Sequence, residues 1–511
     1  MKKIMQSMKN NCINVKYKEE YKIPKIYIFI CYLIINLLIY GALCRKHYAT
    51  DSYQIYFTGV SGTLLWSGRI AAYFISKIYS ILNLNVIEIQ GFTTMLSIII
   101  VSIIGNFLFL SFYKKVKNYN LSSCIIIFLS SLLATTNFFI LEWFLFPEEV
   151  MFYTIGMLAA AFAAYKWSES KNTAKSFIII TMFVLLAMYM YQMNMNIYII
   201  LAIIFIGIDE KFKINLKSIK KVIMTFLICF CAGVLSIITN KLVEIIANTE
   251  IRANFSFTSI IKNTIEVIRS QKNVWINGMG LMKYPWLFGF AFIMISLIIY
   301  ILIKQKKQSY VFILLMLIVD YIIIFNPNYI ASIGICMSPR VLIGLPYFLS
   351  ILPITILAIW NDDICLRFKG IVIATLLFLL VPNIATMQNV ITDHFATNKI
   401  DEEYAYLIGK VIDNYEIENN VEIKYIARVN DKIPSYKYEW IDYMSYDVNT
   451  RAYMWDWSDI YLLKKITNRE FEIKDMDSQI YDEYFKDKDW NYFNPHEQLI
   501  FKGDTLYWCK Y

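Results

Sequence analysis

Residues Asn137–Tyr165 read NFFILEWFLFPEEVMFYTIGMLAAAFAAY, two apolar stretches joined by Phe146-Pro147-Glu148-Glu149. The first closes a run from about Leu121 to Leu141, and the second opens one from about Glu149 to Trp167. Each is about 20 residues long, which is what a helix needs to cross the hydrocarbon of a bilayer. Lys114, Lys115 and Lys117 precede the pair, and Lys166, Lys171 and Lys175 close it. The segment therefore reads as a membrane hairpin with a carboxylate-rich tip and lysines at the far ends.

Further apolar runs lie on both sides of it. Towards the N-terminus they cover about Pro24–Cys44 and Gly91–Tyr113. Towards the C-terminus they cover about Ser176–Tyr191, Met195–Ile208, Val222–Ile246, Pro285–Ile303, Tyr310–Phe325, Arg340–Trp360 and Ile371–Val390. The sum is about eleven spans of the usual length. Every second loop carries a lysine cluster, such as Lys211, Lys213, Lys217, Lys220 and Lys221, or Lys304, Lys306 and Lys307. Basic loops stay in the cytoplasm. That rule places the N-terminal segment 1–23, with Lys2, Lys3 and Lys9, inside. It places loop 45–90, loop 247–284 and the tail 391–511 outside.

Composition agrees. The chain is 58% hydrophobic and 17% charged, where soluble domains run near 45–50% apolar and about 25% charged. The net charge of +9 follows the topology pattern and does not indicate a nucleic-acid partner. Nine cysteines include no CxxC pair, and there are only three histidines, His47, His394 and His496. Neither a disulfide scaffold nor a histidine-based metal centre is indicated. The first apolar run is too long for a signal-peptide core of about 7–15 residues. Leu43 before Cys44 is too bulky for a lipoprotein signal.

Two outer segments carry structure of their own. Residues 68–84, GRIAAYFISKIYSILNL, place Ile70, Phe74, Ile75, Ile78 and Ile81 at helical spacing, so an amphipathic helix on the membrane surface is expected. In the tail, Asp401–Tyr415 reads as a helix and Val421–Val429, VEIKYIARV, as a strand. Aromatic residues are dense at Tyr453–Tyr461. A small α/β domain resting on the outer face is expected.

Charges at the outer ends of the helices are functional candidates, because a charge near hydrocarbon is costly. They are Asp51 in HYATDSYQIYF, Arg69 in WSGR, Glu142, Glu148 and Glu149 at the hairpin tip, and Arg340 in SPRV. A carboxylate can take the proton of an attacking hydroxyl, and arginine holds phosphate through its planar fork of donors. Together these suit group transfer from a lipid-linked phosphate. Plainer readings stand beside this one. In these, Asp51 is a solvated loop acid, Glu148 and Glu149 are helix openers, Arg69 is a headgroup anchor and Arg340 a topological anchor. Tyr191, Gln192, Asn194 and Asn196 form a polar knot that serves either interhelical hydrogen bonding or contact with sugar hydroxyls. Asp320 lies within the ninth run without an evident partner.

The order of these segments resembles the bacterial type II glucosyltransferases, the phage-type family that modifies O-antigen. The resembling pieces are an acid after the first helix, Trp66, Gly68 and Arg69 downstream, the hairpin Asn137–Tyr165, MYQMNMNIYIILAI at Met190–Ile203, SPRVLIGLPYF at Ser338–Phe348 and DEEYAYLIGKVID from Asp401. Family members often carry two adjacent acids in the first outer loop, whereas here Asp51 is followed by Ser52. The resemblance implies an all-α polytopic fold like the C-type glycosyltransferases with a small extracytoplasmic α/β domain. It implies transfer of a hexosyl group, glucose above all, from a polyprenyl-phosphate donor to a cell-surface glycan. Asp51, Glu148 and Glu149 are the catalytic candidates, Arg69 and Arg340 the donor-phosphate ligands, and Tyr191, Gln192 and Asn194 the sugar contacts. A divalent metal is left open. A flippase of lipid-linked glycan and a glycan polymerase or ligase are the rival readings.

Overall fold

The computed structural model describes residues 25–117, 120–171, 173–249, 251–252, 258–305, 310–331, 334–359, 366–429, 448–490 and 492–510. The N-terminal segment 1–23, with its lysines, and the loop lysines Lys306 and Lys307 lie outside these residues.

All eleven apolar runs are helical. Among the described residues, seven helices are long and apolar enough to cross a membrane: Lys25–Cys44, Gln90–Val116, Val150–Glu169, Leu216–Ala247, Trp286–Lys304, Pro339–Ile359 and Phe368–Asn419. The pair Leu121–Thr135 and Phe138–Phe144, bent by 43°, makes an eighth if taken as one crossing. Ala174–Met190, Asn194–Asp209 and Val311–Ile323 are apolar but shorter. By length and composition alone, seven or eight of the eleven helical runs qualify as crossings.

The bend at Thr136 and Asn137 opens a helix in apolar surroundings, where every freed backbone group needs a partner. Neighbouring helices supply them. The Asn137 amide donates to Tyr40 Oη at 3.4 Å, the Phe138 amide donates to Asn383 Oδ1 at 3.2 Å, and Tyr40 Oη donates to the Thr135 carbonyl at 3.3 Å, while the Thr136 side chain donates through Oγ1 to Asn36 Oδ1 at 2.8 Å. Asn137 then caps the second half by accepting from the Ile140 amide at 3.0 Å. The redirected segment carries Glu142 towards Arg340.

The bundle has two chemically distinct ends. At one, lysines are tied down: Lys114 to Glu169 at 2.7 Å, Lys115 to Asp209 at 2.6 Å and Lys217 to Glu210 at 2.6 Å. The Lys221 ammonium donates to the Ser168 carbonyl at 2.5 Å. At the other end lie the first loop, the hairpin tip and the tail. The loop helix spans Ile70–Ile81, with Phe74, Ile78 and Ile81 exposed, as its spacing predicts. A second loop helix, Ile260–Asn277, is an addition to the sequence reading. It leaves Ile261, Ile265, Ile268 and Ile276 exposed and buries Asn263, Val267 and Val274.

The last apolar run and the tail helix form one unbroken element, Leu366–Asn419. Residues 391–400, ITDHFATNKI, contain no glycine or proline to end it. Beyond it a four-stranded sheet has the order β2-β1-β4-β3, with β1 Tyr425–Val429, β2 Glu472–Lys474, β3 Leu499–Lys502 and β4 Thr505–Cys509. Strand β1 pairs in parallel with β2 and β4, and β3 and β4 form an antiparallel hairpin. Gly503 supplies the positive φ of +59° at its turn. One apolar core joins Tyr48, Tyr53, Leu64, Ala72 and Val86 of the first loop to Ala405, Ile408, Ile426, Leu463 and Trp508 of the tail. The tail therefore packs on the first loop.

Candidate functional site

The tip of the hairpin buries three carboxylates. Glu142 is 1% exposed, Glu148 2% and Glu149 7%. A buried charge is costly unless paired, and two of the three are paired. Glu149 meets Arg69 Nη1 at 2.5 Å, an ion pair whose angle falls outside hydrogen-bond geometry. It also accepts from Tyr153 Oη one helical turn on. It makes no side-chain cap to its own helix, so its carboxylate is spent on Arg69 rather than on helix opening. Glu142 accepts from the Arg340 amide, and Arg340 Nη1 lies 3.4 Å from its other oxygen.

Glu148 is different. Its Oε2 accepts from Ser52 Oγ at 2.8 Å, while its buried Oε1 has no hydrogen-bond partner among the described residues. Burial, then the charges of Asp51 and Glu149, push its carboxyl up to about 8. At neutral pH it holds a proton. Ser52 also accepts from the Ala49 amide at 2.8 Å. The residue standing after Asp51 thus ties the first loop to the hairpin tip. Asp51 itself accepts from Trp457 Nε1 of the tail at 2.8 Å.

The two arginines flank an aromatic cluster. Arg69 lies over the rings of Tyr153 and Tyr191 at 5.3 and 5.1 Å. Tyr191 packs against Tyr153 at 4.5 Å and edge-on to Trp143 at 5.6 Å. Trp143 Nε1 donates to the Arg340 carbonyl at 3.3 Å, and the Arg340 guanidinium covers Phe146 at 4.4 Å. The Tyr191 ring is buried, and the charges of Arg340 and Arg69 both act on its hydroxyl. Both guanidiniums therefore lie within electrostatic reach of one ring. Gly68, at φ +69°, turns the chain so that Arg69 points inward, and a Cβ there would meet Asn240 Nδ2 at 2.9 Å. The buried Arg69 Nε has no hydrogen-bond partner among the described residues, so this pair retains a donor for an incoming anion.

The polar knot is mostly committed to the protein. Gln192 Nε2 donates to the Ser67 carbonyl at 2.7 Å, steadying the Arg69 turn. Asn194 Nδ2 donates to the Ala187 carbonyl at 3.3 Å, and Asn196 Nδ2 to the Ile324 carbonyl at 3.2 Å. Tyr191 is the member that reaches the arginine pair. Asp320 lies away from this assembly, buried in Tyr310–Ile323. Among the described residues no three His, Cys, Asp or Glu side chains are grouped to hold a metal ion.

Asp51, Arg69, Glu148, Glu149, Tyr191 and Arg340, expected from sequence, are joined by this chain of contacts. Ser52, Tyr153 and Trp457 are additions. Tyr153 had a signal in its spacing of four from Glu149. Trp457 stands in the aromatic stretch Tyr453–Tyr461, but its pairing with Asp51, 406 positions away, leaves no local mark.

No curated protein and no solved structure matches the chain. A family model described as Glucosyl transferase GtrII matches residues 40–357. That range holds both arginines, the first loop acid and the hairpin tip, and covers well over half of the 511 residues. The chain belongs to the GtrII glucosyl transferase family.

Proposed function

We propose that this protein moves a hexosyl group, glucose above all, from a polyprenyl-phosphate donor to a cell-surface glycan on the outer side of the cytoplasmic membrane. The observation that carries this reading is the pairing of half-buried Arg69 and Arg340 with buried carboxylates around one tyrosine, contiguous with the Asp51–Ser52–Glu148 unit. Residues 24–390 form the membrane core of about eleven crossings with outer loops 45–90 and 247–284. Residues 391–511 form the outer domain, and 1–23 stay in the cytoplasm. The lysine-bearing end then faces inward, as the positive-inside rule requires.

The donor phosphate sits between Arg69 and Arg340, whose fixed charges stabilise the leaving group as negative charge builds on it. Asp51 takes the proton of the acceptor hydroxyl. That oxygen forms the new bond to the anomeric carbon, while the bond from that carbon to the phosphate oxygen breaks. Polyprenyl phosphate leaves with the electron pair, and a single displacement inverts the anomeric centre. Protonated Glu148 donates a hydrogen bond to a sugar hydroxyl through its unpartnered edge. Glu149 holds Arg69 in place, and Tyr191 packs against the donor sugar. Gln192 and Asn194 hold the turn that presents it.

The test is transfer, or slow donor hydrolysis, from synthetic polyprenyl-phosphate glucose by the purified protein in detergent. Activity that vanishes in Asp51→Asn at normal expression supports both the class and the base. Full activity in that variant moves the base elsewhere. A flippase would move the donor across vesicles without releasing glucose. A polymerase or ligase would yield lengthened chains instead of side-branch sugars.

A further inference from the structure

The functional reading leaves one exposed aromatic surface without a task. Trp457 is 42% exposed, although tryptophan carries more apolar surface than any other side chain. One face stacks on Trp455, with ring centroids 4.5 Å apart and 27° between planes. Its indole N–H is spent on Asp51. The segment that presents it is anchored by buried charges. Arg451, fully buried, pairs with Asp401 at 2.5 Å, and the Ala452 amide donates to the same carboxylate at 2.8 Å. Lys510 meets Asp456 at 2.8 Å and Asp459 at 2.7 Å, and Arg428 meets Asp459 at 2.7 Å.

Buried ion pairs contribute little net stability, but they fix geometry where one arrangement is needed. Here they hold an open tryptophan face beside a carboxylate. The surroundings do not suit a headgroup anchor, because the neighbouring Asp456 side chain is 58% exposed and the indole N–H already has a partner. A hexopyranose presents an apolar C–H face and polar edges. That pattern matches a flat indole next to a carboxylate.

Resting on the function proposed above, we infer that Trp457, backed by Trp455, is the acceptor subsite. A pyranose unit of the acceptor glycan stacks on the open indole face, and its hydroxyl is thereby delivered to Asp51. The tail thus completes the site built by residues 40–357. Selectivity for the acceptor then lies in the tail, apart from the donor site at the arginines.

The experiment uses the full-length protein in detergent, synthetic polyprenyl-phosphate glucose as donor, and total envelope glycan from cells lacking the protein as acceptor. Both substrates are titrated for the unaltered protein, Trp457→Ala and Trp457→Phe. Loss of the ring in Trp457→Ala is expected to raise the acceptor half-saturation at least about tenfold, as truncating an aromatic anchor does. Trp457→Phe, which keeps an aromatic face and loses the N–H, is expected to stay within about threefold of the unaltered protein. The donor half-saturation is expected to stay within about twofold in both. An unchanged acceptor value in Trp457→Ala overturns the subsite. Equal losses in both variants also overturn it and make Trp457 a positioning residue for Asp51. Where Trp457→Ala does not accumulate, acceptor-dependent quenching of tryptophan fluorescence decides. Quenching lost in Trp457→Phe supports the subsite, and quenching retained there overturns it. Failure of the unaltered protein to release or transfer glucose overturns the functional reading itself, an outcome distinct from failure of the subsite.

Discussion

Replacing Glu148 with glutamine tests the charge state on which the site depends. In the fold its carboxyl is pushed up to about 8, whereas an unstructured chain holds a glutamate near 4.3. Between those values the folded protein binds more protons than the unfolded one, so stability falls as pH rises. At about 1.36 kcal/mol per pH unit, the loss across the whole window is on the order of 5 kcal/mol. Glutamine copies the protonated form, its side chain able to keep the bond to Ser52. The variant and the unaltered protein are expected to melt together near pH 5. By pH 8.5 the variant is expected to be several degrees more stable. Comparing the two chains at each pH cancels the titrating groups that do not interact with Glu148. Melting in detergent, followed by light scattering or intrinsic fluorescence, reads the difference. A gap between the chains that is identical at pH 5 and pH 8.5 refutes the reasoning. The Asp51 charge contributes to the shift, so Asp51→Asn lowers the midpoint of the pH dependence. Transfer by the unaltered protein is expected to fall as pH rises through about 8, and in Glu148→Gln that limb is expected to flatten.

Three other outcomes follow from named contacts. Arg69→Ala leaves Glu149 buried without its counter-ion and is expected to cost about 3–5 kcal/mol. The double variant with Glu149→Gln is expected to recover most of that in the same melting assay. Gly156→Ala places a Cβ 2.2 Å from Asn194 Nδ2 and 2.8 Å from Met190 Cβ. Overpacking of about 1–3 kcal/mol is expected, with a lower melting midpoint and a displaced Tyr191 turn. Asp401→Asn removes the counter-charge of Arg451, and limited proteolysis of the tail is expected to speed up while the bundle stays resistant.

The membrane helices were legible because a bilayer imposes length and hydropathy on a local run of sequence. Ile70–Ile81 and the strand Tyr425–Val429 were legible through periodicity. The helix Ile260–Asn277 has its exposed isoleucines spaced by four, three and eight, but its charges break up any continuous apolar run. The bend at Thr136 depends on Asn36 and Asn383, whose distance along the chain leaves no local mark. Candidate charges could be found singly because charge at a helix end is conspicuous. Their pairing could not, since Glu149 with Arg69 and Glu142 with Arg340 are matters of packing. The run to Val390 and the tail helix look separate in sequence because apolar residues thin out between them, although residues 391–400 hold nothing that ends a helix.

That helix, 54 residues long with Pro382 inside it, follows a path of about 80 Å at 1.5 Å per residue, well over twice the thickness of a membrane's hydrocarbon. It works as a graduated strut. Each residue removed between Val390 and Asp401 draws the sheet about 1.5 Å nearer the bundle and turns it by about 100°. Loss of a single residue therefore swings the tail out of register with the first loop, while a change of seven nearly restores the facing and alters only the height. The matched family region ends at residue 357, so this adjustment lies wholly beyond it. The height of the tail above the first loop can be reset in near-whole turns without touching residues 25–359.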